Sequence, residues 1–179
     1  SASPKEYAEA IAEMLERYDV VDITEIQAFD WQCLLELEKR NPAIKTAFLS
    51  DHTTMAPGEK DTGLWTAGYT LQDYDNSLPK MIKALGGDCW EPYEMDLTLD
   101  QCREAHELGL KVVVWGWPEM EGTELNDDRI IELITWGVDG FITDRPDILR
   151  GLIAARGFNV PAGFYISEHA DAIAHPVKA

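Results

Sequence analysis

The sequence is poor in positive charge, in long apolar runs and in cysteine, and each shortage excludes a class of function. Only 15 of its 179 residues are Lys or Arg, against 33 Asp and Glu, which gives a formal net charge of −18. A chain this acidic lacks the basic face that broad binding to nucleic acids or anionic membranes requires. No apolar run approaches the roughly 18 residues of a membrane-spanning helix, and the first residues form no signal-peptide pattern. We therefore expect no nucleic-acid partner and no membrane span.

The three cysteines, Cys33, Cys89 and Cys102, indicate neither a zinc ribbon nor a dense disulfide framework. No two of them form a Cys-x-x-Cys pair, so we expect no structural zinc site. The count fits a secreted protein with one disulfide bond and equally a cytosolic protein with three thiols. Cysteine usage therefore leaves the compartment open, between periplasmic or secreted and cytoplasmic.

Strand and helix patterns alternate along the chain. A length of 179 residues with 45% hydrophobic residues suits one globular domain with its own core. Short β-rich or apolar runs predict five strands, at residues 20–29, 45–49, 88–92, 111–117 and 138–143. Apolar residues at helical spacing predict six helices, at residues 4–18, 31–40, 78–85, 100–108, 127–136 and 148–156.

This alternation predicts a parallel sheet with helices packed outside it, in one of two architectures. A closed eight-unit barrel usually needs about 250 residues, so five units amount to roughly five-eighths of one. An open doubly wound sheet would be complete at this length. No glycine-rich phosphate loop follows any predicted strand, which counts against the second architecture, but the spacing alone leaves both open.

A polar stretch at residues 50–76 interrupts the alternation. It follows a predicted strand directly and carries Trp65 and Tyr69. A connection of this length is unusual in a compact domain and favours a functional loop. We expect it to form a rim over the mouth of a pocket.

Two C-terminal motifs resemble those of a known enzyme family. Residues 110–117 read Leu-Lys-Val-Val-Val-Trp-Gly-Trp, and residues 137–147 read Gly-Val-Asp-Gly-Phe-Ile-Thr-Asp-Arg-Pro-Asp. Together with the strand end at 23–30, they resemble the C-terminal part of the glycerophosphodiester phosphodiesterase family. The resemblance implies a TIM-type (β/α)₈ barrel, of which residues 1–156 would supply strands four to eight. Residues 157–179 read as an irregular tail.

The resemblance also implies an activity whose catalytic groups are not in this sequence. The family hydrolyses a glycerophosphodiester to an alcohol and glycerol 3-phosphate, with a divalent metal, commonly Ca²⁺ or Mg²⁺. In the family this reaction rests on a His-Arg-Gly near the first strand, a second catalytic histidine, and acidic metal ligands on the early strands, a Glu-x-Asp pair and a further Glu. The resemblance covers strands four to eight, so it assigns no counterpart of these groups to this sequence. We therefore expect no catalytic residue and no bound metal in this chain alone, with both on a missing N-terminal portion.

The same reasoning names the expected partners. They are the glycerophosphodiester substrate, and either the N-terminal part of the same barrel or a second copy of the chain. The alternative is a non-catalytic half-barrel that dimerises or binds another protein through its open strand edges.

Four residues are candidates for substrate binding because they lie at predicted strand ends, where barrel enzymes hold their sites. Trp115 stands where the family places a substrate-lining tryptophan. Gln27 and Phe29 match two positions of the family's Gln-Ser-Phe-Asp strand end. Glu91 offers a carboxylate that could contact a glycerol hydroxyl. His52, in the polar loop, is predicted to be a surface residue.

Overall fold

A computed structural model of the chain describes residues 2–55, 63–116 and 127–160. The chain divides into two compact units, Ser1–Asp144 and Arg145–Ala179. Within the described residues, the first unit holds five strands and five α-helices, and the second holds one α-helix. Most of the predicted tail, from residue 161 onward, lies outside the described residues.

The first unit alternates helix and strand along the chain, as the sequence pattern predicts. Its five strands are β1 (Glu25–Ala28), β2 (Lys45–Ser50), β3 (Cys89–Pro92), β4 (Lys111–Trp115) and β5 (Gly140–Ile142). Its five helices are α1 (Pro4–Arg17), α2 (Trp31–Arg40), α3 (Leu78–Ala84), α4 (Leu99–Glu107) and α5 (Asp127–Trp136). The second unit contains α6 (Pro146–Ala155).

The strands form one parallel sheet in the order β1-β2-β3-β4-β5. Each strand therefore pairs with the next strand along the chain, and the described strands include no antiparallel pair. A doubly wound sheet requires a reversal of strand order, which this sheet does not have. The prediction of parallel strands in sequence order is confirmed.

The sheet is curved, since side chains from well-separated strands meet on one face. The ring of Phe29, one residue beyond β1, lies 5.5 Å from the ring of Trp115 on β4. Two strands separate β1 from β4, so a flat sheet with strands about 4.8 Å apart would hold them roughly 14 Å apart. The inner face of the sheet is the face on which these two rings meet.

Polar side chains fix where the helices begin. Ser3 and Glu6 form a capping box at the start of α1, and Thr98 and Gln101 form a second one at α4. The Asp30 carboxylate accepts the backbone N–H of Gln32 at the start of α2. Such caps satisfy N–H groups that have no partner within the helix.

Large aromatic residues fill the core between the sheet and its helices. Trp31, Phe48 and Trp90 are fully buried there. Their polar atoms also find partners, because the indole Nε1–H of Trp31 donates to the Leu49 carbonyl at 3.0 Å, and that of Trp90 donates to Ser50 Oγ at 2.8 Å. Both bonds hold the carboxyl end of β2 in place.

The glycine-rich Gly-Val-Asp-Gly motif has a structural role at the start of β5. The Asp139 carboxylate accepts the Val112 N–H at 2.8 Å, and the Asp139 N–H donates to the Val112 carbonyl at 2.7 Å. His106 Nε2 lies 3.0 Å from the same carboxylate oxygen. Asp139 therefore ties β5 to β4 and to the end of α4.

Residues 20–24 do not belong to a strand, and the prediction of a strand over 20–29 is wrong there. Val21–Ile23 form a turn of 3₁₀ helix, and the Thr24 hydroxyl donates to the Val20 carbonyl at 2.8 Å. Val20 and Val21 pack against the cluster between α1 and α2 instead of against a neighbouring strand. Tertiary packing overrides the β propensity of this valine-rich segment.

Arg145 occupies the N-cap position of α6, and its side chain makes no capping hydrogen bond. Arg145 instead forms an ion pair with Asp147 at 2.9 Å.

Among the described residues, no helix is both long enough and apolar enough to cross a membrane.

Gly87 provides a test of the core between α3 and β2. A Cβ atom at Gly87 would lie 2.7 Å from both Ile82 Cγ2 and Phe48 Cε2, closer than packed carbon atoms approach. We expect Gly87→Ala to lower the free energy of unfolding by about 1 to 3 kcal/mol in urea denaturation. Gly140→Ala is the control, because its Cβ would meet Val113 no closer than 3.4 Å. Equal losses in both variants would contradict this account.

Candidate functional site

Trp115 is at the centre of an aromatic cluster at the carboxyl ends of the strands. Its indole Nε1–H donates to the Glu91 carbonyl at 3.0 Å, which fixes the ring across the end of β3. Phe29 contacts it edge-on, and the ring of Tyr93 lies 5.1 Å away on the other side. We call these three residues, Phe29, Tyr93 and Trp115, the edge cluster. They bring the ends of β1, β3 and β4 together into one surface.

A histidine and a carboxylate flank the edge cluster. The His52 ring lies 6.3 Å from the Tyr93 ring, and His52 Nδ1 lies 3.2 Å from Asp96 Oδ2. The His52 backbone N–H donates to the same oxygen at 2.7 Å, so Asp96 fixes both the loop and the imidazole. His52 is exposed, as predicted, but it follows β2 by only two residues. His52 therefore lies beside the carboxyl end of β2.

The four predicted binding residues lie on two levels of the inner face. Phe29 and Trp115 meet in the edge cluster, so the structure brings this predicted pair together. Gln27 is exposed on β1, two residues before Phe29. Glu91 lies deeper, on β3, with only 4% of its surface exposed.

Strand alternation places Glu91 on the inner face of the sheet, opposite the helices, and the side chain is buried there. Its neighbour Trp90 faces the helix-side core, so Cys89 and Glu91 face the inner side of the sheet. Burial, with the charge of Glu25 added to it, raises the pKa of Glu91 to about 7. A carboxyl group in this state is protonated in a large fraction of molecules near neutral pH.

Glu25 and Cys89 complete a cluster around Glu91. One potential ligand atom from each of the three side chains lies within 4.8 Å of the others. Glu25 is exposed at the start of β1, and Cys89 is fully buried at the start of β3. We call these residues, Glu25, Cys89 and Glu91, the inner cluster. It lies nearer the strand starts than the edge cluster does.

The described parts of the polar loop meet the prediction of a rim only in part. The Trp31 N–H donates to the Trp65 carbonyl at 2.9 Å, which places Trp65 at the carboxyl end of β1. Tyr69 does not lie there. It lines a surface cleft of about 540 Å³ beside α2, together with Ile44 and Asp88 near the strand starts. The described part of the loop thus reaches the carboxyl edge at Trp65 and the side of α2 at Tyr69.

Comparison with known proteins is informative once this geometry is established. The family model described as "Glycerophosphoryl diester phosphodiesterase family" matches residues 2–148. The chain belongs to that family.

Solved structures share the fold of this chain. A Silicibacter pomeroyi protein assigned as a glycerophosphoryl diester phosphodiesterase is 28% identical, with a TM-score of 0.67 over 88% of this chain and 47% of its own. A glycerophosphodiester phosphodiesterase from Parabacteroides distasonis is 17% identical, with a TM-score of 0.62 over 87% of this chain and 55% of its own. No curated protein matches significantly.

A third relative carries a ligand. An Oleispira antarctica phosphodiesterase, 14% identical with a TM-score of 0.58 over 84% of this chain and 50% of its own, was solved with sn-glycerol-3-phosphate. The chain thus spans about half the length of these solved relatives. Its sheet is an incomplete TIM-type barrel of five parallel strands, as predicted.

Sequence reasoning missed Tyr93 and Cys89. Tyr93 directly follows the predicted strand at 88–92, so the strand-end rule that selected Trp115 could have selected it as well. Cys89 shares the face of Glu91 by simple alternation. The approach of Glu25 to both depends on the register of three strands, which the sequence does not reveal.

The raised pKa of Glu91 predicts how the free energy of unfolding depends on pH when a chelator keeps metal ions away from the chain. The folded state holds the Glu91 proton more tightly than the unfolded state, whose pKa is about 4.5. Its contribution to stability is therefore present below about pH 4.5 and is lost as the pH rises to about 7, by up to about 3 kcal/mol.

Glu91→Gln removes this carboxyl group and measures its share. In urea denaturation with EDTA, we expect E91Q to gain stability relative to the unmodified chain between about pH 5 and about pH 8. A difference that stays constant across this range would contradict the assignment.

Proposed function

We propose that this chain is the C-terminal part of a glycerophosphodiester phosphodiesterase, which hydrolyses a glycerophosphodiester to an alcohol and glycerol 3-phosphate. The family match over residues 2–148 is the observation that carries the proposal. The edge cluster supports it, because barrel enzymes of this type hold their substrates at the carboxyl ends of the strands.

In this proposal the edge cluster binds and orients the glycerol moiety. The rings of Phe29 and Trp115 meet edge to face, which leaves an apolar corner against which glycerol carbons can pack. Gln27 is exposed on the same face and offers an amide to a hydroxyl or phosphoryl oxygen. Because Trp115 is anchored to the Glu91 carbonyl, the corner is rigid before substrate arrives.

The described residues do not fit the metal that such an enzyme uses at this edge. Ca²⁺ and Mg²⁺ require several oxygen ligands. Asp96 is held by His52, and the Asp51 carboxylate accepts hydrogen bonds from Thr53 and Thr54. The inner cluster is the one set of potential metal ligands found among the described residues, and it lies away from this edge.

The proposal therefore assigns the metal ligands and the catalytic histidines to a segment outside this chain. Phosphodiester cleavage needs charge compensation at the phosphoryl oxygens and a proton for the leaving alcohol. The sequence contains no His-Arg-Gly. Its two Glu-x-Asp triplets, at 59–61 and 94–96, do not match the pair that the family has on its early strands. That segment would pair with β1 and β5, each of which has one neighbour among the described strands.

The alternative function is a non-catalytic half-barrel that dimerises through the same two edges. Unpaired edges of parallel strands offer N–H and C=O groups to any strand that can reach them. The two functions differ in what would produce activity. An upstream segment would bring catalytic histidines, whereas a second copy of this chain brings to the carboxyl edge only another His52, among the described residues.

The first test compares two proteins of different length. We expect the 179-residue chain alone to release no glycerol 3-phosphate from a glycerophosphodiester. A chain extended upstream by a segment with the His-Arg-Gly and Glu-x-Asp motifs should release it and should lose this activity in EDTA. Turnover by the short chain that a chelator abolishes would contradict the assignment. An inactive extended chain, with a dimeric short chain, would favour the half-barrel.

Trp115 provides the second test, in the extended protein. Trp115→Ala removes the apolar corner, so we expect KM to rise about tenfold with a smaller change in kcat. Trp115→Phe keeps an aromatic ring but loses the hydrogen bond to the Glu91 carbonyl. Its KM should lie between the KM of the unmodified protein and that of W115A. Tyr18→Ala, an exposed position at the end of α1, is the control and should leave KM unchanged. An unchanged KM in W115A would remove Trp115 from the binding site.

A further inference from the structure

Glu91 has a feature that the proposed phosphodiesterase activity does not explain. Its Oε2 atom is the one buried side-chain oxygen or nitrogen without a hydrogen-bond partner among the described residues. The whole residue is only 4% exposed, so the oxygen is removed from bulk solvent. A buried carboxylate is costly unless a cation or a donor compensates it, and such an atom calls for a partner.

The unpartnered carboxylate faces two further potential ligands. Glu25 reaches it from β1 and Cys89 lies two residues before it on β3, with one ligand atom from each within 4.8 Å of the others. Ala47 occupies the intervening position on β2, in register with Gln27 and Cys89. Because its side chain is a methyl group, it leaves room for Glu25 to extend across β2.

We propose that Glu25, Cys89 and Glu91 bind a thiophilic divalent cation, with Zn²⁺ the best match, on the inner face of the sheet. Two carboxylates and one thiolate form a donor set that suits Zn²⁺, and water completes a tetrahedron. Zinc ligands in a tetrahedron lie about 3.3 to 3.8 Å apart, so the three side chains need to close by about 1 Å. Glu25 is exposed and can make most of this movement.

The cation removes two electrostatic costs at once. Without it, burial raises the pKa of the Cys89 thiol, and the nearby Glu25 and Glu91 raise it further. A bound dication reverses this balance, so the Sγ–metal bond forms as the thiol proton leaves to solvent. The same charge compensates the Glu91 carboxylate.

The inner cluster does not suit the metal expected for phosphodiester hydrolysis. It contains a thiol, which Ca²⁺ and Mg²⁺ do not select, and it lies toward the strand starts. A cation here links β1 to β3 across β2 and therefore acts on the stability of the sheet. The proposal departs from the sequence-based expectation that this chain alone binds no metal.

Cobalt titration of the 179-residue chain tests the proposal. Co²⁺ replaces Zn²⁺ in tetrahedral sites, and a thiolate ligand adds a charge-transfer absorption in the near ultraviolet. We expect one Co²⁺ per chain with this absorption, its displacement by Zn²⁺, and its persistence in excess Ca²⁺ or Mg²⁺. A saturating titration without thiolate absorption would overturn the proposal.

Three variants and a matched control identify the ligands. We expect Cys89→Ser to abolish the thiolate absorption, and Glu25→Gln and Glu91→Gln to weaken Co²⁺ binding by about tenfold or more. Cys102→Ser also removes a buried thiol, but one outside the inner cluster, and should bind Co²⁺ as the unmodified chain does.

Cys89→Ser and Glu91→Gln change buried residues and can unfold the chain. Glu25 is exposed, so Glu25→Gln leaves the core intact and still tests whether the inner cluster binds the cation. Circular dichroism verifies folding of each variant, and Zn²⁺ should raise the Tm of the unmodified chain but not of E25Q. Thiolate absorption that survives in folded C89S, or equal Zn²⁺ stabilisation of E25Q, would show that other residues bind the cation.

Discussion

The two-residue alternation of β3 is the constraint on which the rest of the structure depends. Trp90 is fixed toward the helices, where it is buried in the main core and bonded to Ser50. Once Trp90 faces outward, Cys89 and Glu91 must face inward, into a space that a protein normally fills with apolar side chains. The choice of an aromatic residue for the core thus places a thiol and a carboxyl group inside the sheet.

Two levels of chemistry follow along the inner face, and Glu91 connects them. Its side chain belongs to the inner cluster, while its backbone carbonyl accepts the indole N–H of Trp115 in the edge cluster. A rearrangement of β3 around the buried carboxyl group would therefore shift the ring that lines the proposed glycerol site. Glu91 therefore affects both the charge of the inner cluster and the position of Trp115 in the edge cluster.

The sequence predicted the order of the elements better than it predicted the contacts between them. Phe29 and Trp115 were each chosen because they lie at a predicted strand end. Their rings meet in the structure because parallel strands end at a common edge. Residues 20–24 failed, because β-branched residues that pack between two helices look the same in sequence as those in a sheet. The meeting of Glu25 with Cys89 was out of reach, since it depends on curvature and register across three strands.

The sequence-order pairing of the strands has a consequence for how the chain acquires its structure. Each strand from β2 onward pairs with the strand that was synthesised just before it, so its pairing partner already exists when it leaves the ribosome. Pairing between consecutive strands closes shorter loops than pairing between strands distant in sequence, and its entropy cost is lower for that reason. The described strands can therefore pair in the order in which the ribosome supplies them, one unit at a time.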